Sequence, residues 1–227
     1  SVRCPHHPAD PSDDGFTLII CTKGRNLMDV IAYIQEIEAY VCQYFDDWDL
    51  DDPIEEGYHA DYEEIAGAGD EEIRHFEEHF QIALPSDIKE LYRYKNGSGF
   101  FCVLPVCIGE REMAFSLMSL QEIEHIKEYF QNRDVLLTDF PDFFSPADIE
   151  AMHDDRLCPY LFHRKWIPFA KYCDSCYLML DFAPGEAGVD GQIICYIHDP
   201  DEVVYVASSL SNLIVDIREE ILSEANE

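Results

Sequence analysis

The sequence predicts an α+β fold: a single bent antiparallel sheet flanked by helices, with an N-terminal strand-helix extension. Three observations carry that expectation. First, three short runs rich in aliphatic and aromatic residues (Tyr177 to Phe182, Gln192 to Ile197, Val203 to Ala207) are separated by turn-forming clusters, Pro184-Gly185 with Gly188 to Gly191, and His198 to Glu202. Gly and Asp tolerate turn dihedrals while Val, Ile and Tyr suit a pleated, half-buried surface, so these runs read as an antiparallel meander. Second, Leu210, Leu213, Ile214, Ile217 and Ile221 recur at spacings of three and four, the mark of a helix that closes the sheet. Third, the chain of 227 residues is 47% hydrophobic and 13% aromatic, enough to bury a core in one large domain or in a domain plus an extension.

The elements follow in order. Residues 1 to 15 are rich in Pro, Ser and Asp without an apolar period, and read as an exposed lead-in. Cys4, His6 and His7 within it lack the spacing of a closed zinc site. Phe16 to Cys21 reads as a strand, and Asn26 caps a helix to about Phe45 whose stripe of Leu27, Val30, Ile31, Ile34, Val41 and Phe45 must pack against something. From Asp46 to Asp87 the chain holds 16 acidic residues and one basic residue, Arg74; its first part reads as an acidic loop that interleaves Trp48, Leu50, Ile54, Tyr58 and Tyr62 with carboxylates. The oxygen-ligand spacing of a calcium loop is absent from it.

Gly69-Asp70 starts a helix with acids at its N-terminus and Ile73, Phe76 and Phe80 facing inward. Pro85 and Ser86 open the next, which buries Ile88, Leu91 and Tyr92 before Asn96-Gly97-Ser98-Gly99 turns into a strand at Phe100 to Leu104. A second strand is expected at Ala114 to Leu117. Ser119 and Glu122 then form a capping box ahead of Ile123, Ile126 and Phe130, and Ser145-Pro146 with Asp148 opens a shorter helix. A loop leads from there to Trp166.

Charge and cysteines bound the function. Asp and Glu number 47 against 15 Lys and Arg, a net charge of -32. A field of that sign repels phosphate backbones and anionic lipid, which argues against nucleic-acid and membrane-surface binding and for a basic partner. Nine cysteines, several inside apolar runs (Cys21, Cys42, Cys102, Cys195), fit reduced thiols better than a disulfide framework. With no apolar stretch of about 18 residues and no signal-like start, a cytoplasmic protein is expected.

Catalytic and cofactor motifs are missing. No nucleotide-binding glycine pattern surrounds Gly97 and Gly99, and the nine histidines form no HExxH or nucleophile-base constellation, so neither a cofactor nor a catalytic residue is assigned. Cys173-Asp174-Ser175-Cys176 is the one chemically suggestive motif. A redox pair needs a helix N-terminus to lower a thiol pKa, whereas this pair leads into a strand, and Cys158 and His163 do not form a second zinc half-site. Cys173 and Cys176 stay as metal or thiol candidates only, the basis of an alternative reading as a metal- or thiol-dependent enzyme.

The order Trp166-x-Pro168-Phe169-Ala170, Leu180-Asp181-Phe182-x-Pro184, Gly188-x-x-Gly191-Gln192-Ile193, His198-Asp199 and Val206-Ala207-x-Ser209 resembles the C-terminal half of the SUKH superfamily. Leu84-Pro85-Ser86-Asp87 and Asn96-Gly97 resemble its N-terminal half, and the likeness spans roughly residues 63 to 221. That superfamily includes Smi/Knr-type regulators of fungal cell-wall synthesis and many bacterial immunity proteins. The resemblance therefore divides the chain into an extension over residues 1 to 62 and a SUKH-like domain over 63 to 227. It also implies a non-enzymatic protein-binding module.

Charge and resemblance together point to an immunity protein that neutralises a basic, nuclease-type toxin domain; a regulatory scaffold for cell-wall-synthesis or signalling proteins is the alternative. Aromatic anchors among acids suit a surface that docks a basic protein, since rings supply desolvated contact area and charges steer the encounter. The expected contact residues are Asp46, Asp47, Trp48, Asp49, Asp51, Asp52, Glu55 and Glu56, with Trp166, Asp181 and Tyr196 from the sheet region.

Overall fold

The computed structural model describes residues 27–44, 56–129 and 133–224. The lead-in, the strand expected at Phe16 to Cys21 and the acidic cluster from Asp46 to Glu55 lie outside them. The described chain runs α1 (Leu27–Tyr44), α2 (Glu56–Glu64), α3 (Asp70–Phe80), α4 (Ser86–Tyr94), β1 (Cys102–Ile108), β2 (Arg111–Leu117) and α5 (Leu120–Tyr129). It continues through β3 (Val135–Leu136), α6 (Pro146–Ala151), β4 (Tyr160–Phe162), β5 (Trp166–Tyr172), β6 (Cys176–Asp181), β7 (Gln192–Ile197), β8 (Glu202–Ala207) and α7 (Leu210–Glu224).

Six strands form one antiparallel sheet in the order β1-β2-β5-β6-β7-β8, and β3 with β4 makes a separate two-stranded ribbon. The expected meander is therefore its β6-β7-β8 part. The sheet curls until Arg111 on β2 comes within 3.9 Å of Glu202 on β8, and α7 touches both edge strands, β1 and β8. The central strands are buried along their length, which is why β6 and β7 read as continuous apolar runs instead of alternating ones.

Two strands carry a proline, each in a position that tolerates a missing N–H. Pro105 lies on the edge strand β1, and Pro168 lies where the β5-β6 register shifts between Pro168 and Ala170. The second case explains why the sequence predicts no strand at β5: Pro168 argues against a central strand, and the bulge accommodates it.

The stripe on α1 is covered. Val30, Ile34, Ile37 and Val41 are buried in the common core, against α7, α4 and β1. The stretch expected as an acidic loop is corrected at its end, where Glu56–Glu64 is helical. Nine residues are too few to hold a helix alone, so tertiary bonds supply its support. Lys95 Nζ donates to the carbonyls of Tyr62, Glu63 and Ile65 at 2.9, 3.0 and 2.8 Å, and the Tyr62 hydroxyl donates to Glu38 of α1. Burial raises the Glu38 carboxyl pKa, opposed by its bonds from Tyr62 and Tyr94.

Helix starts follow the expected capping chemistry. Ser119 and Glu122 exchange the bonds of a capping box ahead of α5, as do Ser145 and Asp148 ahead of α6. Asp87 does more than open α4: its buried carboxylate accepts from Ser211 N and Oγ, both at 2.8 Å, and so caps α7 from 124 residues away.

Candidate functional site

The described part of the acidic stretch forms a face from α2 and α3. Between residues 56 and 80 there are nine acidic residues and one arginine. Asp61, Glu63, Glu64, Asp70, Glu71 and Glu78 are exposed. Arg74 pairs with Glu71 and Glu78 at 3.4 and 4.0 Å, and Arg93 holds Asp70 at 2.8 Å and Glu90 at 2.5 Å. Lys95 is committed to carbonyls, so the face keeps a surplus of carboxylates.

An aromatic pair sits beside that surplus. Asn96 fastens the loop before β1 to this region, its backbone N–H donating to Ala66 O at 3.0 Å and its side-chain amide to Glu72 at 3.1 Å. Adjacent phenylalanines then diverge. Phe101 is buried and stacks on Tyr62, with ring centroids 5.0 Å apart, while Phe100 is 73% exposed and lies 5.2 Å from the half-buried Tyr58. Tyr62, one of the aromatics interleaved among acids, is thus core; Tyr58 with Phe100 is the accessible pair. Phe100 escaped the sequence reading because two consecutive phenylalanines do not show which is turned out. The flanking Gly99 was the available signal, since a turn there sets neighbouring side chains on different sides.

The sheet candidates are placed inside the domain. Trp166 and Asp181 both have 0% exposure, which leaves no surface for direct contact with a partner. Instead Asp181 accepts from Trp166 Nε1 at 2.8 Å, Ala183 N at 2.8 Å and Gln192 Nε2 at 3.0 Å, joining β5, β6 and β7. Gln192 also donates to Arg156 O at 2.8 Å and accepts from Val189 N at 3.0 Å, which fixes the loop after β6. Burial raises the Asp181 pKa more than these donors lower it. A carboxyl enclosed in this way shapes the turn and the sheet, and takes no part in direct contact. Tyr196 is 4% exposed; its ring lies 5.2 Å from Phe162, and its hydroxyl donates to Asp201 at 2.6 Å beside His198. The acceptor Asp201 holds the His198 pKa above its ordinary value.

Cys173 and Cys176 belong to the β5-β6 hairpin. Cys173 and Asp174 both have positive φ, 49° and 50°, with Ser175 N donating to Tyr172 O at 3.2 Å, so both central residues of the turn are left-handed, and Tyr172 pairs with Cys176 across a three-residue connection. Cys173 is exposed and Cys176 buried, so the two thiols face different surroundings. Among the described residues, no three His, Cys, Asp or Glu side chains are grouped to hold a metal ion, and no helix is long and apolar enough to cross a membrane.

The family comparison agrees with this geometry. The profile of the SMI1 / KNR4 family (SUKH-1) matches residues 67–216, a span that takes in Asp87, the Asn96-Gly97 turn, the buried Asp181 network and the first turns of α7. A protein described as KNR4/SMI1 homolog 2 from Debaryomyces hansenii is 35% identical over 68 residues, which is 30% of this chain and 12% of that relative. This chain thus aligns with a small fraction of the longer protein. The buried motif residues and the length of the profile match place this chain in the SMI1 / KNR4 family (SUKH-1).

Proposed function

We propose that this chain is a non-enzymatic protein-binding module that docks a basic partner on the acidic α2-α3 face, with Phe100 and Tyr58 as aromatic anchors. Asp46, Asp47, Trp48, Asp49, Asp51, Asp52, Glu55 and Glu56 extend that contact along the chain. The observation that carries the reading is the surplus of exposed carboxylates on α2 and α3 beside the exposed Phe100 and its half-buried partner Tyr58. Uncompensated carboxylates repel one another, and a cationic partner relieves that repulsion while being steered onto the face.

The partner we infer is a nuclease-type toxin domain, with the module acting as its immunity protein. Carboxylates would take the place of nucleic-acid phosphates at the toxin's basic surface. A second reading, a scaffold that binds cell-wall-synthesis or signalling proteins, is favoured by the match to a yeast relative.

The test is affinity capture from lysate of the source organism, eluted in rising salt and identified by mass spectrometry. A basic nuclease released by salt supports immunity; wall-synthesis or signalling proteins support the scaffold. The triple variant Asp61→Lys, Glu63→Lys, Glu64→Lys should lose capture in either case. Retention of the same partner by that variant would remove this face as the binding surface.

A further inference from the structure

A second surface lies on the far side of the chain order, at strand β8. Among the described residues β8 pairs on one side only, with β7, so the sheet ends there. Glu202 to Val206 are half-buried, and Val203, Val204, Tyr205 and Val206 make the strand apolar along most of its length. An open, apolar strand edge is a template for another extended chain, because its outward N–H and C=O groups still need partners.

Beside that edge is a cavity of about 140 Å³ whose apolar lining includes Leu137, Ile149, Met152, Leu157, Tyr160 and Val203. Its size is that of a side chain: a cavity of about 150 Å³ holds a benzene ring. Val203 belongs both to the edge and to the cavity wall, so a strand laid along β8 has a side-chain receptacle next to it. The surroundings are acidic. Glu150 lies on α6, Asp154, Asp155, Asp199 and Asp201 on loops and Glu202 at the start of β8, with Arg156 held by Asp154 and stacked 3.6 Å over the Tyr205 ring, His153 on Asp155, His198 on Asp201 and Arg111 near Glu202.

We propose that β8 is a strand-addition site for a basic extended segment of a partner protein, with one aliphatic side chain seated in the cavity beside Val203. This rests on the protein-binding reading and adds a second, backbone-mediated contact to the acidic face. Charge complementarity selects the occupant: a second copy would bring another net charge of -32 to the same edge.

The probe is an acetylated, amidated nine-residue peptide of sequence KVKVLVKVK, labelled for fluorescence anisotropy and titrated into the full chain at about 0.15 M salt, where unspecific attraction beyond about 8 Å is screened. We expect saturable binding with new hydrogen-exchange protection on β8 amides. The same peptide with alternate N-methyl groups should bind at least about tenfold more weakly, the effect of two or three lost backbone hydrogen bonds. Val203→Lys, which puts a cation at the cavity mouth, should weaken the parent peptide to a similar degree.

Equal binding of the N-methylated peptide would overturn the proposal, since charge attraction alone would then suffice; this control decides even if Val203→Lys fails to fold. Binding that requires deletion of residues 1–26 would also overturn it, by assigning the edge to the chain's own N-terminal segment. So would concentration-dependent dimerisation that protects β8. A peptide that fails while capture still depends on Asp61, Glu63 and Glu64 defeats the edge alone. An empty capture column defeats the acidic-face reading instead.

Discussion

Replacing Asp181 by alanine tests whether the family motif acts through architecture or through contact. The substitution leaves Trp166 Nε1, Ala183 N and one of the two N–H groups of Gln192 Nε2 without an acceptor beside a position of 0% exposure, while the other Gln192 N–H keeps Arg156 O. Each orphaned donor costs about 1 to 3 kcal/mol, while removing a desolvated carboxylate returns part of that sum. The net expectation is a loss of about 3 to 5 kcal/mol. In a domain of this size that lowers the midpoint of thermal unfolding by about 6 to 20 °C. Asp181→Asn keeps an acceptor for Trp166 and Ala183 but sets its amide against the Gln192 amide, and should cost about 1 to 3 kcal/mol.

The pH dependence adds a sign. Asp181 has a folded pKa above its unfolded value, so the stability linked to that group is complete below the unfolded pKa and is lost as pH rises through the folded one. The gap between wild type and Asp181→Asn, which does not titrate there, therefore widens as the pH is lowered from 7 to 4. Urea unfolding followed by far-UV circular dichroism measures all three proteins. An alanine variant within about 1 kcal/mol of wild type would refute the reasoning, as would weakened partner binding by variants that remain fully folded.

Other expectations follow from packing and titration. Gly67→Ala would place its methyl 1.7 Å from the Arg93 carbonyl oxygen, whereas an added carbon at Gly57 meets nothing within 4 Å. The first should lose about 3 kcal/mol or more in urea unfolding and the second stay within about 0.5 kcal/mol of wild type. Burial pushes Lys127 down to about 8 while its Nζ donates to the Arg164 and Trp166 carbonyls. Between that value and the usual lysine range the unfolded chain binds more protons, so wild-type stability should rise with pH relative to Lys127→Met. A flat difference between pH 7.5 and 9.5 would contradict this. Exposed Cys173 should react with iodoacetamide at least about tenfold faster than buried Cys176 or Cys195, read by peptide mass spectrometry. Equal rates would mean that the β5-β6 hairpin opens freely.

Elements that local chemistry governs are legible in the sequence. The capping residues Ser119 and Ser145, the stripe on α1, the meander from β6 to β8 and the Asn96-Gly97 turn each depend on neighbours in the chain, and the structure places them as expected. What escaped depends on distant partners. α2 exists because Lys95 and Glu38 hold it, and β5 tolerates Pro168 because β6 shifts register there. The buried polar group Asp181 looked like a contact residue, because a motif read in one dimension does not distinguish a carboxylate turned inward from one turned out. The exposed Phe100 stands beside a buried Phe101, and only the turn at Gly99 distinguishes the two in the sequence.

The packing of α1 on α7 sets an order of events during synthesis. Glu36 pairs with Arg218, 182 residues later in the chain. At about 5 to 20 residues per second, the ribosome needs roughly 10 to 40 s to add that span. Throughout this time Val30, Ile34, Ile37 and Val41 lack the helix that finally covers them, and Asp87 lacks the amide that it caps. The nascent chain thus carries an uncovered apolar stripe within reach of chaperones until α7 emerges. Chains arrested after Ser209 should be cut within α1 by a low dose of protease, whereas released chains that include α7 should resist.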